Sequence, residues 1–435
     1  MLRYRPLGLT LNTHRKNSVL PHNATPAPAG LSTGLTLLFA VACGLCVANI
    51  YFAQPLIGPI AATLQLHAGL AGLIMTLTQL GYGTGLLLLV PLADVVENRR
   101  LIIFAMAGAV LGLVGITLSN SAATFLAASF LVGTCAVAAQ VLVPLASHLV
   151  PEATRGKVVG NIMAGLLAGI MLARPFSSVV ASALGWRAVF AISAVLMAAL
   201  ALVLWRALPQ RRPHASFGYA RTMASLPGIV WRTPLLRRRA LYQGMMFAGF
   251  QAFWTAVPLA LAREFGMGQG GIALFALAGA AGALAAPWAG RLADRGLARP
   301  ATGWAMAAAL LSFALGAVGV HFRSLTALVA AAILLDGAVQ LCNVLSLRSL
   351  YVLAPELRGR LNGLFLTFIF LCAAVASGLA AAVYAFHGWN GLSLLGGGFA
   401  VVALLFYATE FRRNAPEQPA RRPVALPASR LNTDD

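Results

Sequence analysis

Charged residues are scarce in this chain. Only 10% of its 435 residues are charged and 11 are acidic, whereas 60% are hydrophobic. An ordinary soluble domain carries about a quarter of charged residues. The composition therefore excludes an ordinary soluble protein and favours one that lies in a lipid bilayer.

Motifs of nucleotide binding and of metal catalysis are also missing. The sequence contains no GxxxxGK[ST] phosphate-binding loop and no HExxH zinc motif. All five cysteines lie in apolar segments, and the CxxC pair Cys43 and Cys46 has neither a second pair nor a nearby histidine. We therefore predict that the protein is not an enzyme and has no cofactor, no metal site and no disulfide framework.

What the chain has instead is a series of long apolar runs. A helix needs about 20 apolar residues to cross a hydrocarbon core about 30 Å thick. The sequence predicts an all-α membrane protein with twelve such helices. They are expected at 33–56, 70–92, 101–119, 122–149, 157–182, 186–206, 238–262, 269–291, 301–320, 324–348, 359–385 and 389–411.

The net charge of +20 is explained by where the basic residues fall. If the N-terminus is cytoplasmic, three of the 31 Lys and Arg residues lie outside (Arg187, Arg263 and Arg323) and Arg174 lies within a helix. The other 27 lie on the cytoplasmic side, as the positive-inside rule requires. We therefore expect cytoplasmic termini and attraction to anionic lipids, and no nucleic-acid partner.

Composition shifts divide the chain into five parts. The segments 1–30 and 412–435 are polar and basic, and we predict them to be disordered cytoplasmic tails. A six-helix bundle is predicted at 31–206 and a second one at 238–411. The basic segment 207–237 between them is a predicted cytoplasmic linker.

An internal repeat relates the two predicted bundles. At an offset of 203 residues, several short patterns recur in the same order. They are Tyr51, Pro55 and Leu56 with Trp254, Pro258 and Leu259; Gln140-Val141-Leu142 with Asn343-Val344-Leu345; and Gly185-Trp186 with Gly388-Trp389. The loop PLADVVENRR at 91–100 likewise returns as RLADRGLAR at 291–299. The chain is therefore a duplicated membrane protein with two halves in parallel orientation.

These loops resemble a family pattern. PLADVVENRR keeps Leu92, Ala93, Asp94, Arg99 and Arg100 of the pattern G-x-L-A-D-R-x-G-R-K, and the second copy at 290–296 follows it more closely. Over about residues 31–411 the chain resembles the major facilitator superfamily. The stretch from Gln140 to Trp186, and DGAVQ with LAPELRGRLNGLF, are similar to a bacterial subgroup of proton-linked exporters.

The resemblance implies a fold and a location. It implies two six-helix bundles that rock around a central cavity lined by helices 1, 4, 7 and 10. We expect a monomer in the bacterial inner membrane that carries a small-molecule substrate and exchanges protons.

Two ionisable residues break the repeat. Asp336 pairs with Gly133 and Arg174 pairs with Ser377 at the 203 offset, and an ionisable group inside a membrane costs several kcal/mol. Asp336 lies about 16 Å into its predicted helix, near the midplane. The hypothesis is that Asp336 binds the coupling proton and that Arg174 is a gate or counter-charge. The alternatives are a structural acid satisfied by its neighbours and an arginine that extends outward along apolar surface.

Other polar and aromatic side chains at membrane depth are candidate substrate ligands. Their alternative role is to bond neighbouring helices to one another or, for the aromatic pair, to mark helix ends. The predicted cavity residues are Asn49, Tyr51, Gln54, Gln140, Gln251, Trp254, Gln340 and Asn343.

The repeated loops are candidate gates. Asp94 and Arg99, with Asp294 and Arg295, are predicted to make contacts that break when the bundles rock. The alternative is a solvated turn capped by an aspartate.

These observations favour a secondary transporter that works by alternating access. The leading hypothesis is proton-coupled efflux, by antiport, of a drug-like compound or metabolite. A proton symporter that imports a sugar or an organic acid is the alternative within the class. A transporter-like membrane receptor or scaffold is the alternative outside it.

Overall fold

The computed structural model describes residues 32–212, 218–353 and 358–412. Every regular element in these ranges is a helix. The α-helices are α1 (Thr33–Ala48), α2 (Ile57–Thr63), α3 (Leu73–Leu88), α4 (Asn98–Leu118), α5 (Ala122–Cys135), α6 (Ala138–His148), α7 (Glu152–Leu184), α8 (Trp186–Ala207), α9 (Tyr219–Arg232), α10 (Pro234–Phe265), α11 (Gln269–Gly279), α12 (Ala286–Asp294), α13 (Ala298–His321), α14 (Leu325–Leu353) and α15 (Arg358–Arg412). The predicted tail at 1–30 and nearly all of the predicted tail at 412–435 lie outside the described residues.

Ten helical segments in the described part of the chain are long and apolar enough to cross a membrane. One of them, Arg358–Glu410, contains two helices that meet at Gly388. A further crossing is interrupted, because α1 ends at Ala48 and the chain continues through the short 3-10 helix Gln54–Leu56 into α2. Counted in this way, these residues contain the twelve predicted crossings, and the all-α membrane fold is confirmed.

Each half has its own hydrophobic core. In the first half, α1 to α8 surround a core that includes Phe39, Ile102 and Phe190. In the second half, α10, α11, α13, α14 and α15 surround a core that includes Phe253 and Leu335. Between the halves, α9 packs against α10, α15 and the 3-10 segment that ends at Asp94.

The repeat is visible at one corner of each half. Gly185 separates α7 from α8 with a φ of 82°, and Gly388 divides α15 with a φ of 61°. Glycine adopts positive φ without a steric penalty, so the chain turns directly from one crossing into the next. The tryptophan that follows each glycine, Trp186 or Trp389, is buried in its own bundle.

Glycines also bring α1 and α7 close together. A Cβ added to Gly44 would lie 2.7 Å from the carbonyl oxygen of Gly165, and one added to Gly165 would lie 2.6 Å from that of Ala40. Only glycine fits at such a contact, which is a common way for helices to associate in a bilayer. The contact fixes α7, and with it Arg174, against the first crossing.

The halves meet along one continuous seam between α3 and α15. The Thr76 hydroxyl donates to the carbonyl of Ala374 at 2.9 Å, and the Tyr82 and Phe370 rings lie 4.5 Å apart between centroids. A Cβ on Gly72 would collide with the backbone of Ser377. The seam follows α3 along most of its length.

On the other side of the molecule, the contact between the halves is shorter. There α7 packs against α11, while α10 packs against α2 and the Gln54–Leu56 segment. Because α2 and α11 follow the far ends of α1 and α10, these contacts lie at the end opposite Asp94 and Asp294. At the end that holds these aspartates, α12 packs against α13 and α14 of its own half, and the first residues of α7 are exposed.

Candidate functional site

Arg174 lies in an aromatic cage between the two halves. Its guanidinium carbon is 4.2 Å from the ring centroid of Trp254, 5.2 Å from that of Phe250 and 5.3 Å from that of Tyr51. A cation over an aromatic face is attracted by the ring's negative charge density. Because Tyr51 belongs to the first half and the other two rings to α10, Arg174 binds both halves together.

The broken first crossing supplies two members of this site. After α1 ends, Gln54 begins the 3-10 turn and Pro55 follows it in the first turn, where its missing N–H leaves no bond unmade. The turn places Gln54 against Arg174, whose Nε donates to Gln54 Oε1 at 2.7 Å. Tyr51, three residues earlier, packs on the same guanidinium.

Trp254 links Arg174 to Asp336. Its indole N–H donates to Asp336 Oδ1 at 2.8 Å while the ring face contacts the guanidinium. Two glycines make room for this arrangement. A Cβ on Gly279 would lie 2.7 Å from the Trp254 ring, and one on Gly282 would lie 2.5 Å from the Asp336 Cβ.

The two opposite charges are therefore joined through an indole. Among the described residues, no ion pair within 4.0 Å connects Arg174 to a carboxylate. Both side chains are buried, with 3% of Arg174 and 9% of Asp336 exposed, so their mutual attraction is screened far less than in water. A change in charge on either residue alters the force that holds the halves together.

Several buried polar atoms at this level have no hydrogen-bond partner in the structure. They are Arg174 Nη2, Gln54 Nε2, both amide atoms of Gln251, and Thr255 Oγ1. Leaving a buried donor or acceptor unpaired costs about 1–3 kcal/mol each. Such a concentration of unused hydrogen-bonding capacity is typical of a site that receives a ligand. In the described part of the chain, no group of three or more His, Cys, Asp or Glu residues could hold a metal ion.

The structure brings together only some of the predicted cavity residues. Tyr51, Gln54 and Trp254 join Arg174 and Asp336 in one cluster. Gln251, with its unpaired amide, lies on α10 one helical turn before Thr255. Sequence reasoning missed Phe250, although it precedes Trp254 by four residues and so lies on the same face of α10.

The remaining predicted cavity residues lie apart from this cluster. Asn49 accepts from the Ser193 hydroxyl at 2.6 Å and donates to the Leu45 carbonyl at 2.9 Å, so its amide joins helices within the first half. Gln140 donates to the Tyr82 hydroxyl at 3.1 Å. Gln340 and Asn343 are half-buried further along α14. For these residues a role in the cavity stays a prediction.

The predicted gating residues lie at one end of the molecule. Asp294 forms an ion pair with Arg348 of α14, which also donates to the Gly290 carbonyl at 3.3 Å. Arg99 lies over Trp205, 6.0 Å from its ring centroid. Asp94 and Arg295 are exposed. The sequence did not identify Arg348, because it lies at the last residue of the predicted helix 324–348 and not at membrane depth.

Comparison with known proteins gives these features a context. The family model for the Major Facilitator Superfamily matches residues 37–302 and 239–432. The uncharacterized transporter YgaY of Escherichia coli O157:H7 is 40% identical over 384 residues, 88% of this chain and 97% of YgaY. A probable transporter of Streptomyces coelicolor is 32% identical over 378 residues, 86% of this chain and 87% of the relative. The crystal structure of a mutant of the nucleoside transporter NupG superposes with a TM-score of 0.69 at 16% identity, covering 87% of this chain and 99% of NupG.

Proposed function

Because this chain belongs to the major facilitator superfamily, and is thus a multi-pass membrane transporter and not an enzyme, we propose that it couples the movement of a small molecule to protons. The proposal places it in a bacterial inner membrane with both termini in the cytoplasm. Transport proceeds by alternating access between the two bundles.

The observation that carries proton coupling is the chain of contacts from Arg174 through Trp254 to Asp336. Asp336 is a buried acid on a membrane-crossing helix, where ionisable groups are rare and usually functional. Protonation of Asp336 removes the negative charge that Trp254 presents to Arg174. The contact between the halves then weakens, so proton binding and the rocking of the bundles are linked.

In this scheme the bundles separate at the end of the basic loops. The contacts of α7 with α11, and of α10 with α2, close the opposite end. With the predicted topology, the open end faces the cytoplasm, and Asp94, Arg99, Asp294 and Arg295 lie where the bundles must approach each other to close it. This position supports a role for these loops in gating.

Two directions of transport are candidates. Export in exchange for protons is the direction that the sequence favours, and it requires substrate and proton to displace one another at the site. Uptake of an organic acid together with protons requires them to bind at the same time. The unpaired donors on Arg174 and Gln54 favour this second candidate.

The test of proton coupling uses purified protein in proteoliposomes that enclose a pH-sensitive dye. A panel of organic cations, amides and carboxylates is added outside, and proton flux is recorded for the wild type and for Asp336→Asn. We expect substrate-driven flux in the wild type and none in Asp336→Asn. Glu152→Gln, which neutralises an exposed acid on α7, is the matched control and keeps the flux. Undiminished flux in Asp336→Asn would overturn the proposal.

A further inference from the structure

We propose that the substrate is an organic carboxylate, and that its carboxylate group is bound by Arg174 and Gln54. This inference rests on the proposed transport function and names the class of molecule that the site accepts. It follows from three properties of the site: the kind of hydrogen-bonding atoms left unpaired, the charge left without a partner, and the surfaces that surround both.

The atoms left unpaired on Arg174 and Gln54 are donors. Arg174 Nε is already bonded to Gln54 Oε1, which leaves Arg174 Nη2 and Gln54 Nε2 without acceptors. Both atoms are buried, so no bulk water satisfies them. A carboxylate offers two acceptor oxygens and binds a guanidinium with strong, charge-assisted hydrogen bonds. A ligand whose polar groups are only donors would leave both atoms unsatisfied.

The charge of the site favours an anion for the same reason. Arg174 is 3% exposed, and its guanidinium has no carboxylate within 4.0 Å among the described residues. Asp336 lies beyond the indole, with its Oδ1 engaged by Trp254. A cationic substrate would be repelled by Arg174, and Arg174 already occupies the aromatic cage that would otherwise attract it.

The surroundings indicate the rest of the molecule. Tyr51, Phe250 and Trp254 present aromatic surface around the guanidinium, and the Phe247 ring stacks on that of Phe250 at 5.2 Å between centroids. Aromatic rings prefer to pack against other rings or apolar groups. The site therefore fits an acid with a compact aromatic or apolar body better than a sugar acid with many hydroxyls.

Carboxylate binding at Arg174 has a consequence for coupling. The substrate anion and the ionised Asp336 are both attracted by the positive charge of Arg174. Protonation of Asp336 removes one of these two negative charges and so strengthens binding of the other, and by linkage the substrate favours protonation. Proton and carboxylate then occupy the site together and cross the membrane in the same direction.

The experiment compares three probes that share one ring and differ in charge. Thermal stabilisation of the full-length protein in detergent is measured with benzoate, benzamide and benzylamine at acidic and at neutral pH. We expect benzoate to stabilise the protein, and more strongly at acidic pH. Arg174→Gln should weaken benzoate binding about tenfold or more. Arg187→Gln, at the α8 corner, is the matched control and should bind as the wild type does.

Each result decides the proposal. Stabilisation by benzylamine or benzamide in place of benzoate, or by none of the three, overturns it, as does full benzoate binding by Arg174→Gln. If Arg174→Gln does not fold, Arg174→Lys is tested instead, because lysine keeps the positive charge but lacks the planar guanidinium group. Arg174→Lys should bind benzoate more weakly than the wild type does. Unchanged benzoate binding by this variant overturns the assignment.

The outcomes also separate this proposal from proton coupling. Benzoate binding that depends on Arg174 but drives no proton flux in proteoliposomes supports the carboxylate site and contradicts proton coupling. Proton flux that is driven by benzylamine and abolished by Asp336→Asn supports proton coupling and contradicts the carboxylate site.

Discussion

The indole N–H of Trp254 donates to the carboxylate of Asp336 at 2.8 Å, across the interface of two helices in the second half. The same indole presents its face to a guanidinium from the first half, 4.2 Å from the ring centroid. Through Trp254, a change in the charge of Asp336 therefore reaches the other bundle.

Replacing Trp254 by phenylalanine should separate the two functions of the ring. Trp254→Phe keeps an aromatic face for Arg174 but removes the N–H, and a hydrogen bond to a charged group contributes about 1.5–3 kcal/mol. We expect reduced proton flux in proteoliposomes with substrate binding retained. Trp304→Phe, at a ring that is 60% exposed, should leave the flux unchanged. Wild-type flux in Trp254→Phe would show that the indole does not transmit the proton signal.

A methyl group at the α1–α7 contact should destabilise the first bundle. In Gly165→Ala the new Cβ would meet the Ala40 carbonyl oxygen at 2.6 Å, and overpacking costs about 1–3 kcal/mol. We expect a lower Tm in detergent. Gly160→Ala on the same helix meets nothing within 4 Å and should keep or raise the Tm, since alanine favours helices. Equal Tm values for both variants would refute this account of the close contact.

Breaking the ion pair of Asp294 with Arg348 should change transport more than stability. The side chains are 69% and 48% exposed, and such pairs contribute about 0–1 kcal/mol to folding. If the loop is a gate, Asp294→Asn and Arg348→Gln should slow transport with little change in Tm. The charge-reversed double variant, Asp294→Arg with Arg348→Asp, should recover part of the rate. If both single variants transport at the wild-type rate, the loop is a solvated turn and not a gate.

The linker helix α9 should respond to anionic lipid. Trp231 is 78% exposed and lies 5.5 Å from the guanidinium of Arg237, a combination that suits the membrane interface. Phosphatidylglycerol should raise the Tm of the wild type relative to phosphatidylcholine, and Trp231→Ala with Arg237→Gln should lose much of that increase. Trp304→Ala, at an exposed ring on α13, is the control. An increase that survives in the double variant would mean that the lipid acts elsewhere.

The fold was predictable from the sequence because the bilayer constrains it strongly. Each crossing must be a helix of nearly fixed length, and the repeat relates one half to the other. The break at Gly388 agrees with the predicted boundary between 359–385 and 389–411. The exception is the first crossing, which was predicted as one helix at 33–56 and breaks after Ala48. Hydropathy alone does not detect this break, because it reports how apolar a segment is and not its backbone conformation.

The candidate site was predictable only in part. Asp336 and Arg174 were found because they break the repeat, but their connection through Trp254 depends on how distant helices pack. Asn49 and Gln54 show the same limit. They are five residues apart and similar in chemistry, yet one bonds Ser193 within its own half and the other bonds Arg174. The irregular turn between them removes the helical periodicity from which a shared face is inferred.

The seam between α3 and α15 has a mechanical consequence. It holds the halves together along most of α3 on one side, whereas α7 and α11 hold them at only one end on the other. A rotation that opens the end with the basic loops therefore has its axis near the seam, close to α3 and α15. The contact of α7 with α11 lies away from this axis, so a rotation that closes the basic end separates these two helices.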